Sequence, residues 1–297
     1  MNELPIVVTC TDRKTSPPTP ALQARTLPAG DLLQRAAEWA RRLQGADNRP
    51  TALQDLYQGD QWRRALALTD AATRAGFAPR LYAASAGLGL RPVSSLAPSY
   101  AATFLPRHAD SVTSSSHEAS LWWECLQQLD GAHDLSQVAT VAGRVLVVVS
   151  GTYAHAMQHD LRRLAATGAE TVLIGGACEV EGILRVPANA DLRQALGGTL
   201  TSLNTRTAAS WLEHCTPGRL ISPQAQASWG AWAAQAARPE SYARTPVPDG
   251  TVIAFIKEMK SIYPDSSRTR LLRLFRDKGM ACEQKRFADL YTSTIGR

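Results

Sequence analysis

Four stretches of the chain set reactive or hydrogen-bonding side chains directly behind apolar runs: TCTDRK at 9–14, SAGLG at 85–89, SGTY at 150–153 and the glycine pair at 175–176. They offer a thiol (Cys10), a carboxylate (Asp12), an ammonium (Lys14), hydroxyls (Ser85, Ser150, Thr152), a phenol (Tyr153) and glycines such as Gly87. In an open parallel sheet, ligands bind in the crevice beyond the carboxyl ends of the strands, so four such ends can share one pocket. Any one of them alone is explained by the need for turn residues. Asp12 is the carboxylate best placed to act, and a turn role beside Arg13 or Lys14 accounts for it equally well. Asp60 follows Tyr57 and Gly59 at a helix start, where an aspartate commonly serves as N-cap. In GGTLTSLNTRTAASWL, a turn at Gly197 and Gly198 leads through Asn204 into a helix. Asn204 can offer its amide to a ligand or cap the helix, and Arg206 can meet a phosphate.

The elements that must position these groups alternate. Leu4 to Cys10 reads as a buried strand, Asp31 to Gln44 as a helix capped by Asp31 and stopped by Gly45, and Asp60 to Gly76 as a second helix. PRLYAAS is a second strand, and 91–116, rich in Pro, Ser and Ala, is a long loop of the kind that often carries function. HEASLWWECLQQLDG and AHAMQHDLRRLAATG are helices, GRVLVVVSGTY and ETVLIGG strands, and GILRVP another strand. Val145 to Val149 is apolar on both faces, as a central parallel strand requires. The pattern predicts an α/β domain over 1–215, a mostly parallel sheet flanked by helices. A connector with helix and flanking prolines should follow at 216–248, and a separate small helical unit at 249–297.

The net charge of +6 is local: Lys257 to Arg297 holds ten Lys/Arg against five Asp/Glu, and the other 256 residues 22 against 21. Ser266 or Ser267 can cap a helix that Gly279 stops, with Arg270, Arg273 and Lys278 near one face and Leu271, Leu274 and Phe275 towards another. With the helices before and after it, this is a helix-turn-helix-like plan with a tight turn between the last two helices. Ser267, Arg268, Arg270, Arg273, Lys278 and Arg286 are its expected DNA-binding residues. A solvated helix face is the plainer account of the same charge.

Other classes are disfavoured. No apolar run approaches the ~20 residues that span a bilayer, and the N-terminus lacks the basic leader of a signal peptide. Five scattered cysteines without a C-x-x-C pair predict reduced thiols in a cytoplasm. His155 and His159 are one helical turn apart but have no evident third ligand, His108 and Asp110 form no readable triad, and GLGL lacks a Walker lysine. No metal, cofactor or obligate protein partner is expected.

VVTCTDRK, DLYQGDQWRRAL, LYAASAGL and APSY together resemble the YaaA-like branch of the uracil-DNA-glycosylase-like superfamily, over about the first 215 residues. Ala86 stands where Lys-Tyr usually precedes Gly-Leu in that family. The resemblance implies a nucleobase pocket and points to phage-defence glycosylases that excise modified bases. Base excision would place Asp12, Asp60 and Asn204 as catalytic candidates. Cys10, Lys14, Tyr57, Ser85, Gly87, Ser150, Thr152 and Tyr153 would line the base pocket, with Tyr57 or Tyr153 stacking, and Arg206 would hold a phosphate. Lys14 is the sole lysine before Lys257, and nothing in the sequence argues for the burial that would make it nucleophilic. A monofunctional enzyme is therefore expected. A non-enzymatic DNA-binding or stress-protection protein and an RNA base-modifying transferase remain open.

Overall fold

The computed structural model describes residues 2–46, 50–239 and 245–296. Two compact units divide at 238/239.

The first unit is built on a six-stranded sheet. In chain order its strands are β1 (Glu3–Thr9), β2 (Ala78–Ser85), β3 (Gly89–Pro92), β4 (Arg144–Val149), β5 (Glu170–Gly175) and β6 (Leu184–Val186). Their spatial order is β3-β2-β1-β4-β5-β6. All neighbours run parallel except β2 and β3, which pair antiparallel from Ser85↔Gly89 to Tyr82↔Pro92. Ile6 is in register with Leu81 on one side and Leu146 on the other. Leu4, Ile6, Val7 and Val8 are fully or almost fully buried, as are Val145 to Val149, because helices cover both faces of the sheet.

One helical layer contains α1 (Leu32–Gln44), α3 (Ser116–Leu126), α4 (Leu135–Ala142), α5 (Gly151–Ala156) and α6 (Gln158–Ala166). The other contains α2 (Asp60–Arg74), α7 (Leu203–His214) and α8 (Pro223–Ala236). Local chemistry sets the ends. Asp31 Oδ1 accepts from Gln34 N at 2.8 Å to cap α1, and Ser115 accepts from Glu118 N to cap α3. In α2, Trp62, Ala65, Leu68 and Ala72 are buried at helical spacing.

The chain leaves β1 towards β2 on one side and later returns to β4 on the other. Their carboxyl ends therefore diverge at a switch in strand order, where an open sheet forms its crevice.

Several expectations are revised. The strand β3 sits inside what read as a turn and loop, closing a tight hairpin on β2. The histidine-rich helix is two helices meeting at Met157. The stretch 91–116 is stitched down: Ala24 N donates to Ala101 O, Ala101 N to Leu22 O, and the Ser99 hydroxyl to Ser16 O at 2.6 Å. The connector predicted at 216–248 is not one element. Its helix α8 packs on α7 through Trp229 and Trp211, ring centroids 6.2 Å apart, so burial of that indole places it in the first unit. Residues 240–244 of that connector lie outside the described residues, as does Arg297 of the last unit.

The second unit holds α9 (Asp249–Ile262), α10 (Arg268–Asp277) and α11 (Gln284–Ile295). Phe255, Phe275 and Phe287 form its centre, with centroids 5.0 and 5.7 Å apart along the series. The tight turn expected between the last two helices is instead an extended link: Met280 and Ala281 pair in parallel with Thr245 and Pro246, and Cys282 is buried. Burying that thiol and satisfying the link's backbone draw the chain out between the helices.

Candidate functional site

A cavity of ≈ 560 Å³ opens at the carboxyl ends of β1, β4, β5 and β6. Strand β1 delivers Thr9 and, just beyond it, Cys10 and Asp12; β4 delivers Ser150, Thr152 and Tyr153; β5 ends there at Gly175 and Gly176. The stitched loop adds Thr103 and Leu105, and α7 adds Asn204 from its first turn. Of the candidates from sequence, Cys10, Asp12, Ser150, Thr152, Tyr153 and Asn204 thus meet in one place. Asp12 is exposed, and its carboxylate forms no hydrogen bond among the described residues. Asn204 is not the helix cap: Ser202 holds that position, which leaves the Asn204 amide available to the cavity. Close approach explains Gly175, whose φ is 84° and where an added Cβ would stand 2.6 Å from Val149 O and 2.9 Å from Asn204 Nδ2.

Tyr57, Ser85, Gly87 and Lys14 do not line the cavity; they form a layer behind it. Tyr57 OH and Tyr100 OH are 2.6 Å apart, and Tyr100 OH also meets the Ser85 hydroxyl. Ser85 accepts from the backbone N–H groups of Gly87 and Leu88. Cys10 Sγ and Tyr153 OH, 3.3 Å apart, face both this network and the cavity. Burial pushes the phenols of Tyr57, Tyr100 and Tyr153 well above their ordinary value, so all three stay protonated. The buried Tyr57 cannot stack on a ligand: its ring packs edge-on to Trp62 at 4.8 Å. Tyr153 keeps a face at the cavity and meets Phe104 edge-on at 5.2 Å.

The hairpin after β2 is pinned by two buried indoles from different helices. Trp122 Nε1 donates to Ala86 O and Trp39 Nε1 to Gly87 O, each at 2.8 Å. Gly87 lies so near the Tyr100 ring that a Cβ would stand 2.5 Å from it. A loop without regular structure thereby has its polar backbone satisfied in the core.

Lys14 is a correction. Burial lowers its pKa, with the acidic groups of Cys10, Asp12 and Asp110 opposing the shift. The sequence carried no sign of that burial because Tyr100, which covers the ammonium at 4.3 Å from its ring centroid, is 86 residues away. The amine is occupied, however: Nζ donates to Asp12 O at 3.2 Å and Thr11 O at 3.4 Å.

Asp60 and Arg206 are also placed differently from expectation. Asp60 is the first helical residue, Gly59 is the N-cap, and the carboxylate lies outside the cavity. It is shared by Arg206 at 3.5 Å and by Arg63 and Arg64 at 3.8 Å. Although desolvation pushes its carboxyl up, the Ser202 hydroxyl and the Arg206 guanidinium hold it below the ordinary range. Arg206 further donates to Leu196 O and Ser202 Oγ.

Sequence reasoning missed Gln61, whose amide donates to Thr9 Oγ1 at 2.9 Å, and Arg185, whose Nε donates to Gly175 O at 2.8 Å and whose Nη1 meets Glu179. Both line the cavity. Arg185 left one legible sign: it is the single charge within the apolar strand GILRVP.

The weaker constellations disperse. Asp110 is buried in a bidentate pair with Arg25. His159 bonds Glu124, and no group of three His, Cys, Asp or Glu stands in ligand geometry among the described residues. None of the described helices is long and apolar enough to cross a membrane.

In the second unit, Ser267 caps α10 by accepting from Arg270 N at 3.3 Å. Arg268, Arg270, Arg273 and Lys278 are exposed. Arg286 is not free for a phosphate: it bonds the Asp249 carboxylate and Val247 O, tying α11 to the start of α9.

Compared with known proteins, the chain matches no family model, no curated protein and no solved structure.

Proposed function

We propose that this protein is a DNA glycosylase of uracil-DNA-glycosylase-like fold that hydrolyses the N-glycosidic bond of a modified base, in defence against foreign DNA. The observation that carries the reading is the meeting of Asp12 and Asn204 in one hydroxyl-lined cavity at the strand ends. Excision requires the nucleotide to leave the stack and enter a pocket, at a cost of about a few kcal/mol recovered by stacking and edge hydrogen bonds. As the bond breaks, the sugar gains positive charge and the base leaves with the bonding electrons. A carboxylate at Asp12 stabilises that cation and orients the attacking water. Asn204 and Gln61 supply amides for the base edge, and the Tyr153 phenol, held protonated, supplies a donor to the departing base.

A lyase would need an amine to form a Schiff base with the opened sugar. Lys14, the only lysine of the first unit, is held behind the cavity by two carbonyls, so the reading is a monofunctional enzyme. The test is incubation with genomic DNAs carrying different base modifications, scoring free base and abasic sites. The expected result is one modified DNA that yields both with an unbroken strand and no borohydride-trapped adduct. Binding without released base from any of them would instead indicate a non-enzymatic DNA-binding protein.

A further inference from the structure

A second groove, of ≈ 410 Å³, runs between α2 and α7 with Trp232 of α8 in its wall. Alanines and a serine form much of its lining; Arg64, Arg74, Arg206 and His214 bring cations and an imidazole, and Glu213 is its one carboxylate. Its charge is not balanced locally. Asp60 is shared by Arg64 and Arg206 of the groove and by Arg63, so it cannot offset both groove arginines. Arg74 has no carboxylate partner among the described residues. Arg64 and Arg74 lie ten residues apart on α2, about 15 Å along the helix axis, long enough to follow a few consecutive phosphates. Trp232, half-buried, sits 5.8 Å from His214 and 5.0 Å from Trp229, centroid to centroid, so the groove also has an aromatic surface. A cationic groove with an aromatic wall is the arrangement that binds single strands with little regard to sequence.

Groove and cavity are neighbours within this unit. Thr201 and Asn204 face the cavity, while Thr205 and Arg206, one residue further along α7, face the groove. We propose that the groove takes the sugar–phosphate backbone of a single nucleic-acid strand, the strand whose base enters the cavity. The inference rests on the glycosylase reading for that base, but its own content is a phosphate site in the first unit, apart from the basic second unit.

The experiment uses the full chain and a fluorescein-labelled oligothymidylate, with anisotropy titrations between 50 and 200 mM salt. The double variant Arg64→Gln, Arg74→Gln should bind more weakly, and the slope of log K against log salt should shrink by about 0.7 for each phosphate no longer neutralised. Glu213→Gln should tighten binding, a gain that structural damage would not produce. The second unit is intact in both variants, so the change reports the groove alone. Unchanged affinity and slope in both variants overturn the proposal while leaving base release, measured separately, untouched. Weaker binding at unchanged slope, or no binding of the oligonucleotide by the wild-type chain, overturns it as well.

Discussion

The two units use their cations in opposite ways. In the first, guanidiniums are mostly paired within the structure: Arg25 with Asp110, Arg42 with Glu38, Arg163 with Asp134 and Asp160, Arg185 with Glu179 and a strand-end carbonyl. In the second, Arg268, Arg270 and Lys278 face water without a carboxylate partner among the described residues, and Arg273 reaches Asp277 only at 4.0 Å. Paired charge fixes geometry, because a bonded guanidinium fork holds both partners in place. Unpaired charge keeps its long-range field, which a polyanion can meet by releasing counterions. The first unit is therefore suited to holding a reacting group and the second to holding a partner. Arg286, tied to Asp249, departs from that pattern in the second unit, and Arg74 departs from it in the first.

That division breaks most readily at the cavity. Asp12→Asn should lower turnover by about a hundredfold or more, as loss of a transition-state electrostatic partner does, with DNA affinity nearly unchanged. Single-turnover base release beside a binding titration measures both, and a parallel fall in affinity would mean that Asp12 serves binding. A smaller effect is expected from the second unit. Replacing Arg270, Arg273 and Lys278 together by Gln should reduce the salt slope for duplex DNA by about 0.9 per phosphate no longer neutralised, leaving turnover at saturating DNA unchanged. A slope that does not move would place the polyanion site elsewhere.

The smallest effect concerns a paired cation. Arg25→Gln removes the guanidinium from the buried Asp110 carboxylate, which keeps only the backbone N–H of residue 25, and should lower stability modestly because the arginine is half-exposed. Although burial pushes Asp110 up, its bonds to Arg25 hold it below the ordinary carboxylate value. A depressed carboxyl contributes stability above its unfolded pKa of about 3.9 and loses it as pH falls through the folded value. In the variant the backbone N–H of residue 25 still bonds the carboxylate, but the guanidinium no longer opposes burial, so this contribution shrinks. Urea unfolding between pH 3 and 7 should show the gap between the two proteins widening as pH rises, whereas a constant gap would show that the pair acts by packing alone.

Much of the fold was legible because it is written in local patterns. Buried parallel strands announce themselves as continuous apolar runs, and Asp31 and Ser267 cap their helices through bonds three residues away. Alternation of such elements led to the α/β class, and a sheet with four polar strand ends led to the cavity. What stayed illegible is non-local. Strand β3 is four residues of Gly, Leu, Arg and Pro, too short and mixed to show a period. Tyr57 and Ser85 read as pocket residues since they flank strand and helix ends, yet their hydroxyls turn inward to Tyr100, which the chain supplies from the stitched loop.

By itself, then, the sequence determined the elements, the concentration of charge in the last 41 residues and the set of groups able to meet at the strand ends, since each depends on residues close together in the chain. The tertiary structure alone decided which of those groups face the cavity and which lie behind it. It decided that Asp60 is shared by three arginines, that Lys14 packs against Tyr100, and that Trp39 and Trp122 fix the hairpin beneath them. The physical reason is that a side chain's protonation and partners depend on what desolvates it and what bonds it. Both come from segments tens of residues away, brought near only by folding.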